Sequence, residues 1–211
     1  MTEQLLDIVI RSLWISGTAL LLALLWSIPI SMNLALRRFR GRHTLISFFN
    51  AMLGIPTVAL GLALYLILSS GGPLGFLDLM YTPTAIIIGQ ALLITPVIVS
   101  LLTSAIEAVD PSIRELARTL GASDSQASFA VLKEARKGSI LAGVAAFNRA
   151  ISELGIALML GGSIKGLSAV MTTQISLGIN SGEQWLSIQL TIVLLAIVFA
   201  LTFLANLLRR D

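Results

Sequence analysis

The chain of 211 residues contains no cysteine, and its only histidine is His43. The absence of thiols excludes disulfides, thiolate metal sites and cysteine nucleophiles. A single histidine cannot supply a histidine metal cluster. A phosphate-binding loop of the form G-x-x-x-x-G-K-[ST] is also missing from the sequence. The sequence therefore predicts no catalytic chemistry in this chain, and any work it does must draw on a partner or on an ion gradient.

Charged residues are also scarce, at 12% of the sequence, whereas hydrophobic residues make up 56% and the mean hydropathy is +0.92. Soluble domains carry about 25% charged residues. A chain with half that share cannot cover its surface with charge, so its natural solvent is the lipid bilayer. The composition therefore predicts an integral membrane protein.

Five apolar stretches are long enough to cross the hydrocarbon as helices, which takes about 20 residues. They cover residues 12–36, 47–70, 83–106, 138–160 and 185–208. The turn SSGGPLG, which contains glycine and proline, separates the second stretch from the third. The sequence predicts a single all-α transmembrane domain over residues 1–211, with about five spans.

Most basic residues fall in three clusters, which follow the first, third and fifth predicted spans. The clusters are Arg37, Arg38, Arg40 and Arg42; Arg114, Arg118, Lys133, Arg136 and Lys137; and Arg209 and Arg210. Five spans place all three clusters on one face, whereas four or six spans would divide them between both faces. Because Lys and Arg concentrate on the cytoplasmic side of a membrane, we expect the amino terminus outside and the carboxyl terminus in the cytoplasm.

Residues 164–182 are too short for a span and are rich in Ser, Thr, Gln and Gly. We expect an outer-face helix or a re-entrant segment, which is tolerated at membrane depth only against protein or water. Within it, Thr172, Thr173 and Gln174 are candidates for lining an outer gate, because hydroxyls and amides can hold an anion weakly enough to release it. The alternative is the ordinary polar surface of an outer helix.

Residues 110–137 form a polar block between the third and fourth predicted spans. Asp110 can cap a first helix, and Gly121 can end it in the left-handed conformation. Ser123 and Gln126 form a capping-box pair for a second helix. The first helix carries an apolar stripe at Ile113, Leu116, Ala117 and Leu120. This pattern predicts a cytoplasmic helix–turn–helix that docks on a partner, rather than a plain solvated loop.

The block resembles the cytoplasmic loop of ABC importer permeases, whose form is E-A-A, three residues, G, nine residues, I, one residue, L-P. Here Glu115, Ala117, Gly121 and Val131 occupy matching positions at the same spacing. Lys-Glu replaces the final Leu-Pro, and the run KEAR that begins there is similar to the tungstate permease subgroup. The stretches SGGPLGFLDLMYTPTAIIIGQALLITP and AISELGIALMLGGSIKGLSAVMTTQISL also resemble that subgroup, so the resemblance covers essentially the whole chain.

The resemblance implies a type I ABC importer permease in the inner membrane of a bacterial or archaeal cell. Two copies would enclose one pathway, ATPase subunits would dock inside, and an extracytoplasmic binding protein would deliver substrate outside. The loop would rest in a groove of the ATPase, with Glu115 facing basic groups and Gly121 forming the turn between the helices. ATP and Mg would be bound by the ATPase, so no cofactor is expected in this chain. The chain would contact membrane lipid and would bind no nucleic acid.

Two ionisable residues, Arg149 and Glu153, lie inside the fourth predicted span. They are four residues apart on one helical face and can therefore pair. Such a pair is either a self-neutralising contact that fixes helix packing or a group beside the transport pathway. If the two charges cancel, the pathway holds few strong anion ligands, and the permease itself discriminates weakly between oxyanions.

The implied substrate is an oxyanion, with tungstate placed first and molybdate or sulfate as alternatives within the same branch. A gradient-driven secondary transporter is the main alternative from another class. It would be expected to show inverted repeats and proton or sodium ligands near the membrane midplane, and no convincing internal repeat is evident. A membrane-embedded transferase would need clustered Asp or His, which the sequence does not contain.

Overall fold

The structure, a computed structural model, describes residues 2–210 and the side chains of residues 3–207. Within those residues the regular elements are helical. They are α1 (Thr2–Leu36), α2 (Arg42–Met52), α3 (Thr57–Leu68), a 3-10 turn (Gly75–Leu77), α4 (Pro83–Glu107), α5 (Pro111–Thr119), α6 (Asp124–Glu134), α7 (Arg136–Ile151), α8 (Gly155–Gly161), α9 (Met171–Asn180) and α10 (Gln184–Arg210). The termini Met1 and Asp211 lie outside the described residues, as do the side chains of Arg209 and Arg210 in the third basic cluster.

Three single helices, α1, α4 and α10, are long and apolar enough to cross a membrane. Among them α4 is the most buried, because α1, α7 and α8 pack along it. Its isoleucines Ile86, Ile94 and Ile98 are fully buried in contacts between helices. In lipid, such burial stabilises the bundle through close packing rather than through transfer out of water. The first, third and fifth predicted spans are confirmed as continuous helices.

The second and fourth predicted spans are each a bent pair of helices. The axes of α2 and α3 differ by 101° and those of α7 and α8 by 56°, so the chain has up to five spans if each bent pair counts as one. A single helix over residues 47–70 or 138–160 is therefore wrong. In the second span the cause is Pro56, which precedes α3, lacks an N–H group and keeps the preceding residue out of the helical region.

The segment at residues 164–182 contains the short helix α9, which packs mainly on α10. Its first turn is buried, and Met171 contacts the apolar cluster formed with Ile8, Ile151 and Leu190. A helix is thus present where an outer-face or re-entrant segment was expected. Its buried first turn makes it part of the packed bundle.

Candidate functional site

The loop between α4 and α7 begins at a capped helix end. The Asp110 carboxylate accepts a hydrogen bond from the Ser112 N–H at 2.9 Å, and this bond lowers the pKa of Asp110. The chain then passes through Gly121 at φ +88°, where a side chain with a Cβ would be strained. Both the predicted start of α5 and the predicted left-handed turn at its end are confirmed.

The second helix of the loop, α6, starts with the predicted capping box. The Ser123 N–H donates to Gln126 Oε1 at 2.8 Å, and the Gln126 N–H donates to Ser123 Oγ at 3.3 Å. These two bonds satisfy N–H groups that a helix start would otherwise leave without partners. The turn between α5 and α6 is therefore specified at both ends by short-range contacts.

An ion-pair cluster joins the two loop helices to each other. Asp124, the first residue of α6, accepts hydrogen bonds from Arg118 and from Arg114 Nη2, the latter at 2.9 Å. The hydrogen bond from Arg118 is the main cause of the lowered pKa of Asp124. The carboxylate thus holds both arginines of α5 against the start of α6.

Arg114 also ties the loop to the first span. Its Nη1 donates to the carbonyl oxygen of Leu36, the last residue of α1, at 2.9 Å. Carbonyls in the last turn of a helix lack partners within the helix, and a cation there is favourable. The sequence does not predict this contact, because no local pattern relates Arg114 to a residue 78 positions earlier.

The loop presents some of its apolar side chains outward. Leu116 is 61% exposed, Leu120 80% and Phe129 64%. Ile113 and Ala117 are half-buried instead, so the stripe predicted on α5 is partly packed along one edge and exposed along the other. The exposed side chains are the ones available to a partner protein, and docking through them stays a prediction.

The residues of the loop motif differ in burial, and Gly121, like Glu115, is exposed. Val131 is buried and belongs to the main core cluster together with Leu102 and Ile106 of α4. Ala117 is half-buried, and Glu115 is exposed on α5. The loop is therefore anchored through α6 to the bundle, while the face around Glu115 is accessible.

The break in the fourth span has its backbone groups satisfied by protein. The Glu153 N–H donates to the Ala150 carbonyl at 3.1 Å, and the Thr172 hydroxyl donates to the Glu153 carbonyl at 2.9 Å. The Ile156 N–H, at the start of α8, donates to Glu153 Oε1 at 3.3 Å. Irregular backbone at membrane depth is tolerated only with such partners or with water.

The start of α8 also approaches the start of α3 closely. A Cβ built on Gly155 would lie 3.1 Å from Thr57 Oγ1 and 3.3 Å from Glu153 Oε1. The breaks in the second and fourth spans are therefore neighbours in the fold. In the sequence, Pro56 and Gly155 indicate a break in each span. Neither residue indicates that the two breaks lie next to each other.

Thr172, Thr173 and Gln174 lie in the buried first turn of α9, and each donates a side-chain hydrogen bond within the chain. Thr172 holds the Glu153 carbonyl, as above. The Thr173 hydroxyl donates to the Val170 carbonyl at 3.0 Å and accepts from the Ser163 hydroxyl at 2.8 Å. Gln174 Nε2 donates to Ser163 Oγ at 3.0 Å. These bonds fix the loop before α9; the gate role stays a prediction.

Arg149 and Glu153 pair as predicted, but the two side chains differ in exposure. Arg149 Nη1 donates to Glu153 Oε2 at 2.8 Å. The Arg149 side chain is 38% exposed, whereas that of Glu153 is 2% exposed. The pair is neutral in total charge, yet it presents mainly its cation at the surface of the chain.

The chain combines apolar spans, two of which are broken, with a capped two-helix loop that exposes a docking face. This combination is typical of a membrane transport subunit that is moved by a partner protein. Residues 12–211 match the family described as binding-protein-dependent transport system inner membrane component. The chain belongs to this family. Its members are multi-pass permease subunits of ABC importers; they work with a substrate-binding protein and with a separate ATPase subunit that hydrolyses ATP.

Two relatives cover most of the chain. The tungstate uptake system permease protein TupB of Peptoclostridium acidaminophilum is 36% identical over 198 residues, which span 94% of this chain and 87% of the relative. A probable anion ABC transporter permease protein of Haloferax volcanii is 35% identical over 205 residues, 95% of this chain and 88% of the relative.

Among solved structures, the MetNI methionine ABC transporter in an inward-facing conformation aligns with 100% of this chain and 96% of its own, at a TM-score of 0.76 and 17% identity. The shared fold confirms the predicted type I importer permease architecture.

Proposed function

We propose that this chain is the permease of a tungstate importer, with molybdate or sulfate as the alternative substrate. The observation that carries the proposal is the 36% identity to a tungstate uptake permease along 94% of the chain. The lysine–glutamate pair that ends the loop motif adds support, because the same departure occurs in the tungstate subgroup that the sequence resembles.

In this proposal residues 1–211 form one permease domain, and two copies enclose the pathway on a twofold axis. The loop at residues 110–137 enters a groove of the ATPase, where Glu115 meets basic groups. Ala117 and Val131 seat the loop on the bundle, and Gly121 shapes its turn. ATP and Mg bind to the ATPase subunit, and this chain holds no cofactor.

The proposed orientation has the loop in the cytoplasm and the amino terminus outside. Single cysteines at Ser69, Ser125 and Ser181 test it, because the chain has no cysteine of its own. Ser69 ends α3, Ser181 ends α9 and Ser125 is exposed on α6. Ser69→Cys and Ser181→Cys should react with an impermeant thiol reagent from outside, and Ser125→Cys only from inside. Reaction of Ser125→Cys from outside contradicts this orientation.

Two groups remain candidates for the pathway itself. Arg149 presents a half-exposed cation with Glu153 beside it, which suits a site that an anion passes. Thr172, Thr173 and Gln174 are proposed to control an outer gate indirectly, by fixing the loop before α9, since each already donates a hydrogen bond within the chain.

The experiment is ATP hydrolysis by the reconstituted complex of permease, ATPase and binding protein. The binding protein is loaded in turn with tungstate, molybdate, sulfate or an amino acid. Tungstate should stimulate hydrolysis most, and radiolabelled tungstate should accumulate in the vesicles. Stimulation by molybdate alone identifies molybdate, another oxyanion, as the substrate. Stimulation by the amino acid alone rejects the proposal.

A further inference from the structure

Arg149 lies inside the fourth span, in the last turn of α7. It is 13 residues beyond Arg136, the first residue of α7, which corresponds to roughly 20 Å of helix. The helix α8 continues the span beyond Arg149. Ionisable groups within a span are costly in lipid and mark functional sites.

Arg149 and Glu153 differ in how many of their hydrogen-bonding groups are already used. Both carboxylate oxygens of Glu153 are engaged, one by the Ile156 N–H and the other by Arg149 Nη1. Arg149 makes this single side-chain hydrogen bond among the described residues, although a guanidinium carries five N–H donors. Most of its donors remain available to an acceptor from outside the chain.

The surface around Arg149 is polar as well. Ser152 is exposed, and Asn148 Nδ2 donates to Thr202 Oγ1 of α10 at 2.9 Å in an exposed contact. Asn148 is itself half-buried, and its Oδ1 is a buried atom without a hydrogen-bond partner. An exposed guanidinium and hydroxyl within a span are costly in lipid, and such groups face a bundle interior or a water-filled cavity. The exposed side of Arg149 and Ser152 is therefore the part of this surface that faces a second copy or the pathway.

We propose that Arg149 contacts the oxyanion in transit, and that Glu153 is a positioning residue that orients the guanidinium and weakens its hold. This inference rests on the proposed oxyanion transport. The planar fork of a guanidinium matches two oxygens of a tetrahedral oxyanion. The Glu153 carboxylate, 2.8 Å from the guanidinium, weakens its attraction for the anion. Conduction requires binding that is weak enough for the anion to leave. The pair therefore does not act as a cancelled charge, which the sequence alone suggested as one reading.

A second pair with the same spacing, Asp7 with Arg11, shows the opposite arrangement. There the arginine side chain is 12% exposed and the aspartate 63% exposed. Arg11 also donates to the Ala169 carbonyl at 3.2 Å, so it serves to hold two segments together. The four-residue spacing of the two charges is therefore not enough for an anion contact. The guanidinium must also be exposed, as that of Arg149 is.

The transport test uses the complete importer in vesicles with Arg149→Lys, Arg149→Gln and the double variant Arg149→Gln/Glu153→Gln. The double variant leaves no unpaired buried carboxylate and keeps two groups that can hydrogen-bond, so it guards against misfolding. Loss of a charge-assisted contact should lower tungstate uptake about tenfold, with Arg149→Lys intermediate, while the complex still assembles, as measured by gel filtration. Lys165→Gln, which removes an exposed ion pair with Glu183, is the control and should transport normally.

The binding test uses Ser152→Cys in this cysteine-free chain. Inside the assembled importer, an anionic methanethiosulfonate should react faster than a neutral one, and millimolar tungstate should slow the reaction. Both effects should disappear when Arg149→Gln is added, a readout that a packing role for Arg149 does not move. Ser181→Cys should be insensitive to tungstate and to Arg149→Gln.

The outcomes separate this inference from the proposed function. Normal uptake in the double variant, or loss of assembly together with ATP hydrolysis in every Arg149 variant, overturns the role of Arg149 even if tungstate is the substrate. Protection of Ser152→Cys by sulfate and molybdate as well as tungstate supports an oxyanion contact, whichever oxyanion is the cargo. An amino acid as the only cargo rejects both.

Discussion

The two-helix loop and the break in the fourth span differ in how far apart along the chain their hydrogen-bonding partners lie. In the loop, the capping bonds join residues two or three positions apart, such as Asp110 with Ser112. At the break, two bonds also join residues three positions apart, but the Glu153 carbonyl is satisfied by Thr172, 19 positions later. The helix ends of the loop are specified locally, whereas the break also needs a contact that exists only when α9 is packed in place.

The environment explains the difference. The loop is polar and its backbone can always fall back on water, so short-range caps are enough to set its helix ends. Backbone inside the bilayer has no such alternative, and every group must find a partner in the protein. A broken span therefore depends on contacts made by other segments.

Gly121→Val should have the largest effect, because it changes the local signal on which the loop depends. A β-branched residue at φ +88° is strained by about 1–2 kcal/mol, and relief of that strain re-aims α6 relative to α5. We expect uptake and stimulated ATP hydrolysis to fall roughly tenfold or more, measured on the reconstituted importer with assembly checked by gel filtration.

Gly182→Val is the matched control, because Gly182 has φ +81° in the turn between α9 and α10. It carries similar strain outside the coupling loop and should leave ATP hydrolysis coupled to transport. Equal loss of coupling in both variants contradicts a special role for the turn at Gly121.

Thr172→Val tests whether the break needs its distant partner. The variant leaves the Glu153 carbonyl without its donor in a buried site, a loss of about 1–3 kcal/mol. We expect a lower melting temperature of the purified permease, together with slower transport. Thr18→Val is the control, because Thr18 donates only to the carbonyl of Trp14 in its own helix; an equal fall in melting temperature there shows that Thr172 has no special role.

Arg114→Gln tests whether the loop acts on α1 as well as on its neighbours in sequence. It removes the donor to the Leu36 carbonyl along with one of two bonds to Asp124. Loss of one such hydrogen bond at the loop should lower the ratio of transport to ATP hydrolysis about threefold. Arg118→Gln loses only the bond to Asp124 and should keep that ratio; identical behaviour of the two variants removes α1 from the coupling path.

The smallest expected effect is on pH. The pKa of Asp124 is lowered in the folded loop, first by the hydrogen bond from Arg118. Its contribution is therefore fully present above the ordinary carboxylate pKa and is lost as pH falls through the lowered value. A fluorophore on Ser128→Cys should report loosening of α6 only below about pH 4. Asp124→Asn should abolish that part of the change, while Asp110→Asn should leave it in place; an unchanged profile in Asp124→Asn contradicts the assignment.

Much of the loop could be predicted from sequence, because each helix end there carries its own signal within a few residues. Asp110, Gly121 and the pair Ser123 and Gln126 all lie where a short-range pattern places them. The unequal burial along the stripe on α5 could not be predicted, since the exposure of Leu116 and Leu120 depends on which part of the helix the bundle covers. The contact of Arg114 with Leu36 could not be predicted either, because it depends on how the loop packs against the bundle.

Composition and periodicity alone determined that this chain is a helical membrane protein with about five spans and a capped polar loop, because those features follow from local preference and from the bilayer as solvent. Tertiary structure decided that the two breaks meet and that Thr172 satisfies the Glu153 carbonyl at one of them. It also decided that Glu153 turns inward while Arg149 stays half-exposed. Spacing can place two charges on one helical face, but only the neighbouring helices determine which of them is desolvated.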